Sequence, residues 1–181
     1  LVGVPTSLRT ERFARARGLP LTTLEEPLDI DLTVDGADEV DPQLNALKGG
    51  GGAHTREKIV ASASREYWLI VDESKLVEHL GEKHPVPVEV LPFGWKLVQR
   101  ELEKLGAEPA LRRLPDEKPF LTDDGHYVLD ARFPGGLQDP DAIARAIKAL
   151  PGVIEHGLFL SMADRVIVAS QKTGVRVLER E

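Results

Sequence analysis

Three carboxylates, one lysine and a run of bare backbone share one short stretch of this chain. The segment "VDGADEVDPQLNALKGGGGAHTREKI" carries Asp35 and Asp38, then Lys48, then four glycines beginning at Gly49, and then Glu57. Glycine loses more backbone entropy on folding than any other residue, so four in a row are costly unless something must approach the main chain closely. Unsubstituted N–H groups ahead of a helix N-terminus form a concave donor surface suited to an anion or a developing oxyanion. A carboxylate beside such a surface, partly withdrawn from water, gains basicity and can take a proton from carbon. Together these residue types describe proton transfer next to a stabilised negative charge.

Each residue also has an ordinary structural role open to it. A glutamate in a helix's first turn, as Glu57 would be, complements the helix dipole. Asp35 and Asp38 suit turns, where an aspartate bonds its own backbone. The glycines match neither common phosphate motif. Lys48 precedes them rather than follows, unlike a P-loop, and no Gly-x-Gly-x-x-Gly aligns. The chemical reading rests on convergence. "VDGADE", "KGGGGAHTRE" and "VDESK", with Lys75, each lie at a strand or helix end, and ligands of open α/β sheets bind at the carboxyl edge of the strands.

The elements that must position these residues can be read from period and punctuation. A short strand and turn at "LVGVPTS" precede a helix capped by Ser7 and stopped by Gly18. A strand over 30–34, a helix over 55–66, a strand at "YWLIVDES" buried on both faces and a short helix at "SKLVEHLG" follow. Strands alternating with helices imply a parallel sheet. After the prolines of "KHPVPVEVLPFG" the pattern changes to strand 86–91, helix 94–105, strands 109–114 and 126–132, helix 140–150 and strand 153–158. That order is the βαββαβ ferredoxin-like unit. "TDDG" at 122–125 marks a hairpin turn. "DRVIVAS" and "GVRVLER" form a last hairpin returning to the first sheet. The expected fold is therefore α/β, a Rossmann-like parallel sheet made by 1–84 and 159–181, with an inserted ferredoxin-like α+β domain over 85–158.

Composition narrows the classes. The 181 residues are 41% hydrophobic and 29% charged, as in ordinary globular chains. With no Cys there is no disulfide framework and no thiolate nucleophile or metal site. A net charge of −7 argues against a nucleic-acid partner. No apolar run is long enough to span a bilayer and no signal peptide opens the sequence, so the expected location is cytoplasmic, with no membrane partner. His54, His79, His84, His126 and His156 form no convincing metal set and read as surface or packing residues. Arg9, Arg12, Arg15 and Arg17 read as a solvated helix face, and the Arg112–Arg113 pair receives no role.

"VDGADEVDPQLNALKGGGGAHTREKIVA" with "VDESK" closely resembles the signature region of the ribose-5-phosphate isomerase A family, densely over residues 34 to 75. "TDDGHYVLD" and "PGVIEHGLF" resemble that family's second domain. The resemblance implies interconversion of ribose 5-phosphate and ribulose 5-phosphate in the non-oxidative pentose phosphate pathway. It implies no cofactor and no metal, and a homodimer or homotetramer. It implies Glu57 as the proton acceptor, Asp35 as the group that opens the furanose ring, and Lys48 as a charge-stabilising catalytic residue. Asp35, Gly36, Ala37, Asp38, Lys48, Gly49, Gly50, Gly51 and Lys75 are the implied substrate-binding set, with Lys75 at the anionic end. The family opens on a β-α unit with a "GxGTGST"-like phosphate loop that has no counterpart here, since "VPTS" at 4–7 lies downstream of its place. Weak phosphate binding by the chain as written is the corresponding expectation.

Two other classes share features with this pattern. A sugar-phosphate sensor would carry a helix-turn-helix and a basic face, and neither is visible. A coenzyme A transferase-like enzyme also uses a glutamate, and a covalent acyl-Glu intermediate would distinguish it.

Overall fold

The computed structural model describes residues 1–25 and 29–180. Along the chain come α1 (Leu8–Arg15), β1 (Ile30–Asp35), β2 (Glu39–Val40), β3 (Ala46–Leu47), α2 (His54–Ser62) and β4 (Ser64–Asp72). Then follow β5 (Val86–Val90), α3 (Trp95–Lys104), β6 (Glu108–Leu111), β7 (Tyr127–Arg132) and α4 (Pro140–Lys148). The last strands are β8 (Val153–His156), β9 (Leu158–Phe159), β10 (Arg165–Ser170) and β11 (Gly174–Glu179).

These strands make three sheets. The first has the order β1-β4-β10-β11. Its first three strands are parallel, and β11 returns antiparallel through the expected hairpin. The second sheet, β6-β7-β5-β8, is antiparallel throughout and carries the well-patterned α3 and α4. Between them lies a three-stranded sheet, β2-β3-β9, which the sequence did not announce because its strands have two residues each.

Each large sheet has its own apolar core. Tyr67, Leu69, Val71, Val166 and Val168 pack under the first; Val86, Val88, Val98, Leu102, Leu129 and Ile147 pack under the second. The small sheet joins the two. Ala46 and Phe159 face the first core, while their neighbours Leu47 and Leu158 face the second, because strand side chains alternate.

Several expectations change. The helix expected over 55–66 ends at Ser62, and β4 starts at Ser64, since pairing with β1 begins at Ile30↔Ser64. The strand at "YWLIVDES" is not buried on both faces. Tyr67, Leu69 and Val71 are covered, while Ile70 is half exposed beside Leu32 and Val34 of β1. Among the described residues only one face of this sheet is packed. The helix expected at "SKLVEHLG" is a 3-10 turn at Glu73–Lys75, then a bridge at Leu76 and a run of bends and turns. Its backbone donors have other partners. Val77 N–H donates to the Val40 carbonyl, and the buried Glu39 carboxylate accepts from Gly81, Lys83 and His84 at 2.6–2.7 Å. The strand expected over 153–158 breaks at Gly157. A Cβ there would collide with the Lys48 carbonyl, so only glycine lets the two chains cross.

Candidate active site

Local structure brings most of the singled-out residues to one edge. β1 ends at Asp35, whose carboxylate turns back onto the Gly36 amide at 2.8 Å. Just before β2, the Asp38 N–H donates to the carbonyl of Leu47, the last residue of β3. Lys48 therefore leaves β3 beside the residues that follow β1. Its own amide is tied to the Gly157 carbonyl at 2.8 Å, which is the crossing that Gly157 permits.

Lys48 is nearly buried, 4% exposed, and its Nζ is shared. It lies 2.9 Å from Asp35 Oδ2 and 3.1 Å from Glu57 Oε2, and it donates to the Gly36 carbonyl at 2.5 Å. The ring of Phe159 is 5.4 Å behind it. Glu57 comes from the first turn of α2, with its side chain 18% exposed. Burial pushes its pKa up and the Lys48 charge holds it down. Asp35 and Asp38 add like charge, and the balance is above the usual glutamate value. A carboxylate raised in this way is a stronger base once ionised.

The glycine run forms the opposite wall. Gly49 has φ +106°, and a Cβ there would come within 2.8 Å of the His54 ring. The Gly50 amide is already committed, donating to Asp38 Oδ2 at 2.9 Å. The Gly51 amide has no acceptor among the described residues, and Gly51 borders open space. Asp35, Gly36, Ala37, Asp38, Lys48, Gly49, Gly50, Gly51 and Glu57 line one cleft of about 220 Å³. Lys75 is not in that lining. It lies half-buried on the turn after β4, at the same carboxyl edge of the parallel pair but outside the cleft wall. A second groove of about 270 Å³, with Val4, Leu21, Leu24 and Ile59 among its walls, is mostly apolar and holds none of the residues above.

Three contributors escaped the sequence. Arg112, which received no role, reaches the Gly49 carbonyl at 2.9 Å from far along the chain. Gly157 positions Lys48; a glycine interrupting an apolar strand pattern was a usable signal of close backbone approach. Glu89, 1% exposed, accepts from Thr55 in the first turn of α2, from Thr122 at 2.9 Å and pairs with His126 at 2.8 Å. His54 and His156 are buried, as packing residues would be. Among the described residues no group of three or more His, Cys, Asp or Glu is arranged to hold a metal ion, and no helix is long and apolar enough to cross a membrane.

Comparison with known proteins gives this arrangement its relatives. The family profile described as ribose 5-phosphate isomerase A (phosphoriboisomerase A) matches residues 2–173. A ribose-5-phosphate isomerase A from Thermomicrobium roseum is 52% identical over 181 residues, covering 99% of this chain and 76% of that protein. The solved ribose 5-phosphate isomerase from Plasmodium falciparum superposes with a TM-score of 0.95 at 39% identity, over 99% of this chain and 78% of the other. A solved D-ribose-5-phosphate isomerase in complex with phospho-erythronic acid gives 0.94 at 43% identity, with the same coverage. With a profile match along nearly the whole sequence, and relatives this similar in both sequence and fold, the chain belongs to the ribose 5-phosphate isomerase A family.

Proposed function

We propose that the cleft interconverts D-ribose 5-phosphate and D-ribulose 5-phosphate through an enediolate, with Glu57 as the single base. The observation that carries this reading is Lys48 Nζ held at 2.9 and 3.1 Å from Asp35 and Glu57 in a cleft that Gly49, Gly50 and Gly51 also line. Asp35 opens the furanose by taking the proton of the anomeric hydroxyl and delivering it to the ring oxygen, as the C1–O4 bond breaks and the C1 carbonyl forms. Glu57 removes the C2 proton of the open aldose, and the electron pair moves to O1. Lys48 and the Gly51 amide stabilise the negative charge on the sugar oxygens, which needs fixed donors in a site shielded from water. A proton passes between O2 and O1, and Glu57 returns its proton to C1 to give the ketose. Asp38 holds hydroxyls, and Lys75, outside the cleft wall, meets the phosphate at its far end.

The same reading assigns no metal or organic cofactor, a place in the non-oxidative pentose phosphate pathway, a cytoplasmic location and a homodimer or homotetramer. Residues 85–158 are read as a ferredoxin-like unit inserted in a Rossmann-like one. What supports that division is the antiparallel order β6-β7-β5-β8 between two segments of the parallel sheet. The test is direct. The chain should convert ribose 5-phosphate in the presence of EDTA and, in deuterated water, exchange the C2 proton with solvent. Turnover that chelation abolishes and a divalent ion restores overturns the metal-free mechanism.

A further inference from the structure

Within the glycine run, the Gly52 N–H closes a turn onto the Gly49 carbonyl at 3.0 Å, which leaves the peptides between them to be aimed. Four in a row have the widest choice of backbone angles, and Ala53, at the N-cap of α2, provides no side-chain cap. Further orientation comes from outside the loop, and Arg112 supplies it. Arg112 follows β6 and reaches the loop from behind the cleft. Its Nη1 donates to the Gly49 carbonyl at 2.9 Å and to the Gly50 carbonyl at 3.2 Å. Its Nε and Nη2 donate to the two carboxylate oxygens of Asp130 on β7, at 2.9 and 2.5 Å. Four of the five guanidinium N–H groups are thus used. The side chain is 15% exposed, with the Phe120 ring 5.6 Å away.

A trans peptide is planar, with C=O and the following N–H on opposite sides. Holding the Gly49 carbonyl on Arg112 therefore turns the Gly50 N–H the other way, where it meets Asp38 at 2.9 Å. Holding the Gly50 carbonyl does the same to the Gly51 N–H, which is the free amide at the cleft. A cation on a carbonyl also polarises its peptide and strengthens the N–H as a donor. We propose that Arg112, fixed by Asp130, is the positioning residue that aims the Gly50 amide onto Asp38 and the Gly51 amide into the cleft. This rests on the isomerase reading above, and it assigns part of the anion-stabilising wall to a side chain from the second sheet.

The test uses the full chain and the variants Arg112→Met, Arg112→Lys and Asp130→Asn. Met keeps the apolar stem beside Phe120 and removes the donors. Lysine keeps the charge but cannot grip Asp130 and two carbonyls at once. Three quantities are read: kcat, KM for ribose 5-phosphate, and the inhibition constant of phospho-erythronic acid, whose carboxylate stands in for the enediolate oxygens. For Arg112→Met, kcat should fall about 10- to 100-fold while KM changes less than about threefold, because donors aimed at developing charge act mainly in the transition state. The inhibition constant should rise along with the loss in kcat, and Arg112→Lys should recover part of both. A folded Arg112→Met with unchanged kcat, or with KM and the inhibition constant rising equally at constant kcat, overturns the proposal. Should Arg112→Met fail to fold, Asp130→Asn decides by the same criteria. A fourth reading separates this proposal from the function itself. In ligand-free protein labelled with 15N-glycine, the Gly50 and Gly51 amide resonances should shift in the variants. If the unaltered chain shows no isomerase activity, the functional reading fails, and those resonances still decide whether Arg112 aims the loop.

Discussion

Glu57 and Glu155 have nearly the same exposure, 18% and 17% of the side chain, and each is paired with lysine. Their acidities move in opposite directions. Glu57 is raised above the usual value by burial, against the pull of Lys48. Burial also pushes Glu155 up, yet hydrogen bonds from Lys148 and Lys58 and from the His156 amide hold it down at about 2. Glu155 has two lysines at 2.8 Å, each of which, among the described residues, otherwise bonds only neutral groups near it, the His156 carbonyl and ring for Lys58 and the Ile154 carbonyl for Lys148. Glu57 has to share Lys48 with Asp35, and Asp38 adds further negative charge. The two pairs are neighbours on α2, because Lys58, the partner of Glu155, is the residue after Glu57. Exposure alone does not make a base. A carboxylate left short of donors beside like charges stays basic, and one saturated with donors becomes a fixture.

The comparison breaks most visibly at Glu57. Glu57→Gln keeps the shape but cannot accept a proton from carbon, so turnover should fall at least about a hundredfold, the scale of general-base catalysis. KM should change far less, and solvent exchange of the C2 proton should stop with turnover. If Glu57→Gln keeps near-normal turnover while Asp35→Asn loses it, the base is Asp35; if both keep it, the mechanism fails.

Lys48→Met sharpens the comparison by removing the one donor that Glu57 does have. Both rate and binding should weaken, with kcat falling on the order of 10- to 100-fold through lost charge stabilisation. The acid limb of kcat/KM adds a sign. In the unaltered chain it should lie above the ordinary glutamate range, because Glu57 must be ionised to act and its pKa is raised. Without Lys48, which holds that pKa down, the limb should move to still higher pH. A limb that moves to lower pH, measured as a pH profile, contradicts the arrangement.

Glu155→Gln should have the smallest effect on chemistry, with kcat within about threefold, and act on stability instead. Breaking a largely buried pair leaves the Lys58 charge poorly matched, so a loss of about 2–3 kcal/mol and a melting point lower by about 5–10 °C are expected. Acid adds to this at two buried histidines. Burial lowers both His54 and His156 to about 4. Their neutral forms are favoured in the folded chain, so their stabilising contribution is full above pH 6.5 and is lost as pH falls from there toward 4. Thermal melts recorded across that window check the sign.

The sequence made the front of the cleft legible and left its back unseen, for a physical reason. Asp35, Asp38, Lys48 and Glu57 converge because one strand, one narrow antiparallel pair and one helix start follow each other closely, so local spacing carries the geometry. Arg112, Asp130, Glu89 and Gly157 act across long stretches of chain, and no periodicity encodes such contacts. The missed element at "SKLVEHLG" has the same origin. Its apolar spacing suits a helix, but partners far back in the chain take its amides, the Val40 carbonyl that of Val77 and the Glu39 carboxylate that of Gly81, with those of Lys83 and His84 just beyond. Lys75, named from the motif alone, lies on the turn that replaces that helix.

The small β2-β3-β9 sheet has a consequence for how the molecule comes apart. Ala46 and Leu47 are consecutive, yet they anchor in different cores, and Lys48 is the next residue. Loosening either core pulls on the same two-residue strand and displaces the lysine on which both carboxylates depend. The proposed catalytic residues therefore have no separate local melting. In hydrogen–deuterium exchange, the amides of β3 and β9 should open only with the global event, so that loss of activity on heating and loss of structure follow a single cooperative curve.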